Sequence, residues 1–371
     1  VEAFFGTTKI VSFVAEALFQ RIQDIKTRER RKAFMRNHRI VFLTWVGLGM
    51  ASLFFSSGFS KVEAQVIQMK FAHYAEETHP GHLAAKQFAA RVEERTKGQV
   101  KIAIYPANVL GSPPEQCEQV RLGAIDMSLP TQGALDKYVK AFSAVMLPFI
   151  FDDYEHVYRT LDGPSMDWLA PLAEKAGFIV LSNWEWGFRN LTNSKRPILK
   201  PEDVKGLKIR TPPEIQLQAA MEALGGIVTK IAFPEVYMAL AQGVVDAQEN
   251  PIAVIYHNKF YEVQKYLALT RHVYNNMVHV VSTKAWAKLT PEQQKIFREE
   301  SKAAGAFMRK AIVAEETDQI AKMEKAGLTV TRPNLALFRA AMGPAYERIG
   351  KYAGEDNVKR FMQYVEEARK K

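Results

Sequence analysis

From residue 66 onward, short apolar runs of strand length alternate with longer stretches of helical period. The run 66–73 reads as a strand. His79-Pro80-Gly81-His82 then opens a helix whose apolar face carries Leu83, Phe88 and Val92, and Gly98 stops it. Residues 100–105 alternate as a second strand, 113–122 form a short helix, and 124–128 a third strand. This βαβαβ order begins a doubly wound α/β domain. The stretch 206–251 repeats it, with strands at 207–210, 227–231 and 244–248 and a helix at 213–224.

Between these stretches, 152–175 predicts a mostly helical crossover, and 178–184 and 187–192 predict two strands. Further strands are expected at 266–270 and 278–282, crossing between the halves. Thr290-Pro291 is a capped helix start with proline at the first position, and the helical pattern then runs to Lys325. Such a length predicts a helix spanning both halves. The stretches 335–352 and 355–370 predict closing helices. There are no repeats or low-complexity linkers, so the lobes are expected to interweave: 65–187 with about 276–315, and 188–275 with about 316–371. At 47% hydrophobic residues over 371 positions, the chain can bury a core of that size.

Charge changes the picture only at the front. A basic run from Lys26 to Arg39 precedes an apolar stretch, 40–55, and then Ser56-Ser57-Gly58. Val62-Glu63-Ala64 has the small-residue spacing of a signal-peptidase site, so export with cleavage near Ala64 is expected. The competing reading is a membrane anchor, which wants roughly 20 apolar residues. Initiation at Val1 or at Met35 stays open. Segment 1–64 holds 10 of the 50 Lys+Arg and 5 of the 40 Asp+Glu, which leaves the rest only mildly basic. Nucleic-acid binding, which wants a concentrated basic face, is not expected. The single cysteine, Cys117, excludes an intrachain disulfide and is expected to be buried and inert.

In open α/β sheets, ligands sit outside the carboxyl ends of strands. Arg210 ends a strand before Pro212-Pro213, and Asn250 follows another before Pro251. One cation and one amide are therefore expected to face the same crevice. A guanidinium fork fits a carboxylate with two parallel hydrogen bonds, so this constellation points to an organic anion. Arg189, in W-G-F-R-N, is a second candidate; for either arginine the competing reading is a structural ion pair. Phe233, Trp184, Trp186 and Tyr237 form either an apolar wall or core. Glu185 and Glu249 read as solvated strand ends. The hydrolase, zinc-protease, dinucleotide and P-loop signatures are all absent from the sequence.

Four segments carry a resemblance: G-F-R-N-L-T-N-S-K-R-P-I (187–198), G-L-K-I-R-T-P (206–212), F-P-E-V-Y-M-A-L-A-Q-G-V-V-D-A-Q-E-N-P (233–251) and K-F-Y-E-V-Q-K-Y-L (259–267). From Gln65 to the end, the chain resembles the DctP-type substrate-binding proteins of tripartite ATP-independent periplasmic (TRAP) transporters. The resemblance implies a two-lobed α/β protein with interwoven sheets, a hinged cleft and a long lobe-spanning helix. It implies that Arg210 pairs with a ligand carboxylate, with Arg189, Asn250 and Phe233 beside it. From the other lobe it implies contacts from Tyr74, Glu77, His79, Thr131 and Gln132, and a further zone at His272 and Tyr274. Tyr237 joins this set as an apolar candidate. A keto-acid subgroup of the family uses a metal; here Q-E-N-P stands at that point, so neither metal nor cofactor is expected.

The function expected is therefore periplasmic capture of a carboxylate, a uronate or aldonate first, and delivery to a TRAP membrane permease. Two alternatives are a ligand sensor for a membrane histidine kinase and a periplasmic enzyme of the α/β class.

Overall fold

The computed structural model describes residues 66–370, together with Arg21 and Arg28. The basic run apart from Arg28, the apolar stretch 40–55, the cleavage site and both candidate starts lie outside the described residues. Among the described residues no helix is long and apolar enough to cross a membrane.

Among the described residues nine strands form one continuous mixed sheet. They are β1 Ile67–Ala72, β2 Val100–Tyr105, β3 Met127–Ser128, β4 Phe178–Asn193, β5 Lys208–Thr211, β6 Ile227–Lys230, β7 Ala247–Pro251, β8 Tyr266–Ser282 and β9 Thr329–Thr331. The order is β2-β1-β3-β8-β4-β7-β5-β6, with β9 paired to β8. The expectation of two interwoven sheets is thus replaced by one sheet. β4 and β8 are each a single long strand where the sequence predicted two, and their antiparallel pairing joins the two parallel β-α-β ends.

The breaks that the sequence suggested are irregularities in register. β4 shifts against β8 between Val180 and Ser182, Glu185 and Gly187, and Arg189 and Leu191. A slip of one residue turns a strand's faces over. Phe178 and Val180 accordingly pack in one apolar cluster, Trp184 and Trp186 in another, and Phe188 returns to the first. Gly187 sits at the middle shift with φ 118°, and a Cβ there would stand 3.1 Å from Pro251.

The long helix Pro291–Lys325 begins as expected at Thr290, whose hydroxyl accepts from Gln293 N. Its buried residues Ile296, Phe297, Ala304, Met308 and Ile312 recur at helical spacing. It lies so close to β4 that a Cβ on Gly305 would be 2.9 Å from Trp184. Two other expectations shift. The closing stretch 335–352 divides into Leu335–Ala340 and Gly343–Ala353, and the strand at 244–248 begins at Ala247 and runs to Pro251. Cys117 is buried and its thiol pushed up to about 12, first by burial, as its inert reading requires.

Candidate functional site

Three neighbouring strands bring the predicted polar residues together. β7 runs parallel to β5 and antiparallel to β4, with Arg210 opposite Gln248 and Asn190 opposite Asn250. Arg189 of β4, Asn250 of β7 and Arg210 of β5 therefore stand in a row where β5 and β7 end. All three line a cavity of about 450 Å³. Facing them are Tyr74, just beyond β1, and Thr131, Gly133 and Ala134, just beyond β3. Trp186 and Phe233 close the apolar side; the Tyr74 ring packs edge-on against both, with centroids 5.1 and 5.6 Å away.

The two arginines are spent differently. Arg189 donates through Nε and Nη2 to both carboxylate oxygens of Glu249, and through Nη2 also to Asn250 Oδ1 at 3.1 Å. Its Nη1 donates to Asn275 Oδ1 at 2.7 Å. Arg210 donates through Nε to the Ile231 carbonyl at 2.9 Å. Its two terminal nitrogens have no hydrogen-bond partner among the described residues, although the side chain is 1% exposed. Burial lowers the Arg210 guanidinium to about 10, with the Glu249 charge opposing, so it remains a cation at neutral pH. Phe233 presents its ring 5.9 Å from Arg210 Cζ.

Glu249 corrects the expectation of a solvated strand end: it is fully buried. Burial alone would raise its carboxyl, but Arg189 and a bond from His272 outweigh that and hold it below the ordinary value. Glu185 is equally buried, raised to about 7 by burial, and bonded to Tyr158 Oη at 2.7 Å. Asn250 also has limited freedom, since its Nδ2 donates to Gln248 Oε1 at 2.6 Å.

Six of the twelve residues expected to contact the ligand line the cavity: Tyr74, Thr131, Arg189, Arg210, Phe233 and Asn250. The other six stand elsewhere. Glu77 is exposed on the loop after β1. His79 is the buried cap of helix Pro80–Arg95, its Nδ1 accepting from Gly81 N, with its ring against Trp186. Gln132 points behind the cavity wall and donates to Asn183. His272 is buried against Glu249, and Tyr274 among Phe151, Tyr154 and Phe188. Tyr237 lies in a second, more open groove of about 580 Å³ with Glu76, His257 and Glu262, which borders the first at Phe233. Its cation is Lys259, a point charge without a planar fork, so the cavity at Arg210 is the better carboxylate site.

The sequence reading missed Glu214, Asp136, Lys137, Lys230 and Tyr352. Glu214 had a signal, because it follows the same strand end as Arg210 by four positions. Its Oε1 accepts from the Thr131 hydroxyl at 2.8 Å across the cavity. Tyr352 reaches the cavity from a helix remote in sequence, and no local pattern marks it. Among the described residues no cluster of His, Cys, Asp and Glu could hold a metal.

Comparison with known proteins now bears on this arrangement. A sequence profile described as bacterial extracellular solute-binding protein, family 7 (DctP), matches residues 71–352. The chain belongs to this family. It is 35% identical over 288 residues to the 2,3-diketo-L-gulonate-binding periplasmic protein YiaO of Escherichia coli K12, covering 77% of this chain and 88% of that protein. The crystal structure of a TRAP periplasmic solute-binding protein from Polaromonas sp. JS666, bound to D-erythronate, is similar with TM-score 0.77 and 35% identity, over 80% of this chain and 98% of that one. The sugar acid-binding protein of Advenella mimigardefordensis, in complex with galactonate, is similar with TM-score 0.79 and 27% identity, over 82% and 99%. The two-lobed α/β fold of TRAP solute-binding proteins is the fold of this chain.

Proposed function

We propose that this family 7 protein captures an organic acid, with sugar acids such as uronates and aldonates first, by clamping its carboxylate on Arg210. One observation carries the reading: a buried guanidinium pinned at Nε, with no hydrogen-bond partner for its terminal nitrogens among the described residues, on the wall of the cavity. Such a fork takes both oxygens of a carboxylate in charge-assisted bonds shielded from water. The D-erythronate and galactonate bound by the two similar structures support the same chemical class. Arg189 and Asn250 then act mainly as the framework behind the clamp.

The cleft would close by population shift, since only the closed form meets the ligand from both sides. The Thr131–Glu214 bond, the Tyr74–Phe233 contact and the Gln216–Asp136 bond cross the cleft and support a closed form here. The hinge would lie where β4 and β8 change register at Gly187, dividing 65–187 from 188–275. The closed protein would deliver its ligand to a TRAP membrane permease from the periplasm, after removal of a leader near Ala64. Titration calorimetry with D-erythronate, D-galactonate, D-glucuronate and succinate tests the reading. At least one acid binds the wild type, and Arg210→Ala abolishes or strongly weakens that binding; unchanged affinity in the variant sinks the clamp.

A further inference from the structure

Glu214 is placed oddly for a residue at a helix start. It is the residue before helix Ile215–Ala223, yet its side chain makes no cap to that helix. The carboxyl turns into the cavity instead, held there after the stiff pair Pro212-Pro213. One oxygen is fixed by Thr131. The other, Oε2, is buried and has no hydrogen-bond partner among the described residues. Room for it exists because residue 133 is glycine: a Cβ there would stand 2.2 Å from Oε2. Tyr74 Oη, on the same wall, is also buried without a partner, the Thr131 hydroxyl being given to Glu214. A buried polar atom without a partner is costly, so a ligand hydroxyl that reached either atom would relieve that cost.

The cavity is therefore bipolar, with a free cationic fork at one place and an unspent carboxyl oxygen at another. We propose that Glu214 sets the charge class of the ligand: it accepts a hydroxyl from a polyhydroxy monocarboxylate and excludes acids carrying a second carboxylate. The proposal rests on Arg210 being the carboxylate anchor. Two ionised carboxylates in contact repel, most where water is excluded, whereas a hydroxyl at the same place gains a charge-assisted bond. The site thus separates sugar acids with one acid end from those oxidised at both ends.

The titratable groups around Glu214 are Arg189 from β4, Arg210 from β5, Glu249 from β7, Asp136 and Cys117 from the helices beyond β3 and β2, and Tyr74 beyond β1, and Lys137, Lys230 and Tyr352 line the same cavity. Burial raises the Glu214 carboxyl to about 7, against the pull of Arg189 and the Thr131 bond. Discrimination should therefore be weaker in mild acid, where Glu214 is protonated and able to donate. The variant Glu214→Gln removes the charge at nearly constant shape and leaves the other groups in place.

The experiment is calorimetry at pH 8 and pH 5.5 with matched probes: D-glucuronate against D-glucarate, D-galactonate against galactarate, and D-erythronate against meso-tartrate. At pH 8 the wild type prefers the monocarboxylate of its best pair by about tenfold or more, which is about 1.4 kcal/mol. That preference shrinks at pH 5.5, and in E214Q it shrinks at pH 8 through a gain for the dicarboxylate. The pH arm uses the wild type alone, so it decides even if the variant folds poorly. Arg210-dependent binding with the same preference in both proteins and at both pH values overturns the role of Glu214, as does a wild type that favours the dicarboxylate. Failure of all six acids to bind, or binding indifferent to Arg210→Ala, overturns the clamp itself and this proposal with it.

Discussion

Two arginines stand on the wall of one cavity, both almost wholly buried, at 2% and 1% exposure. Arg189 has spent its fork on Glu249, Asn275 and Asn250, and so fastens β4 to β7. Arg210 has spent one donor on a backbone carbonyl and, among the described residues, keeps its terminal nitrogens. Burial of a charge therefore does not mark a ligand residue by itself. What marks it is the set of donors left after the protein has used its share. The same test separates two carboxylates, because Glu249 is fully engaged by Arg189 and His272 while Glu214 keeps one oxygen.

The largest effect expected from breaking this contrast is on the Arg189 side. Arg189→Ala leaves Glu249 buried with His272 alone and without its permanent counter-charge, and should cost about 3–5 kcal/mol of stability in denaturant unfolding. An unchanged midpoint would mean that the ion pair does not hold the strands. Arg210→Ala should do the reverse: it removes about 2–5 kcal/mol of acid binding in calorimetry, while the melting temperature of the ligand-free protein does not fall. If both variants lose stability alike, the distinction between framework and clamp collapses.

Acidity sharpens the contrast, because the two carboxyls titrate with opposite sign. Glu249 lies below its ordinary value, so its contribution to stability is present above pH 4.5 and lost as pH falls through its folded value. Glu214 is raised to about 7, so the folded state holds its proton more tightly; that contribution is present below pH 4.5 and lost as pH rises to about 7. Differences between wild-type and E249Q, and between wild-type and E214Q, unfolding curves should therefore slope in opposite directions. The Glu214 contribution is on the order of 3 kcal/mol. Slopes of the same sign would refute the assignment. The smallest effect is at the aromatic beside the clamp: Phe233→Leu should weaken acid binding by about 0.5–1 kcal/mol, read by calorimetry, with little change in stability.

Much of the fold was legible because it is local. Thr290-Pro291 marked the start of the long helix, His79 to Gly81 the start of another, and the parallel ends followed from apolar runs stopped by Gly or Pro. Arg210 was legible for the same reason, since a strand that ends before Pro-Pro puts its last side chains at the crevice. The long strands were not legible as single strands. The polar residues Asn190, His272, Asn275 and Asn276 interrupt their apolar pattern, and each is buried and paired by a neighbour that the sequence does not name. Glu77, His79, Gln132, His272 and Tyr274 came from family positions around the cleft and Tyr237 from an apolar pattern, and they fall on caps, core, a second groove or the surface.

By itself, the sequence determined the alternation of strands and helices, the family, and the placing of a cation at a strand's carboxyl end. Those features depend on neighbours a few residues apart, where period, proline and glycine act directly. The tertiary structure decided which buried charge was already paired, because Glu249 meets Arg189 across 60 residues and Thr131 meets Glu214 across 83. A hydrogen bond is spent or unspent only once the chain has closed. The free fork of Arg210 and the free oxygen of Glu214 are therefore properties of the fold.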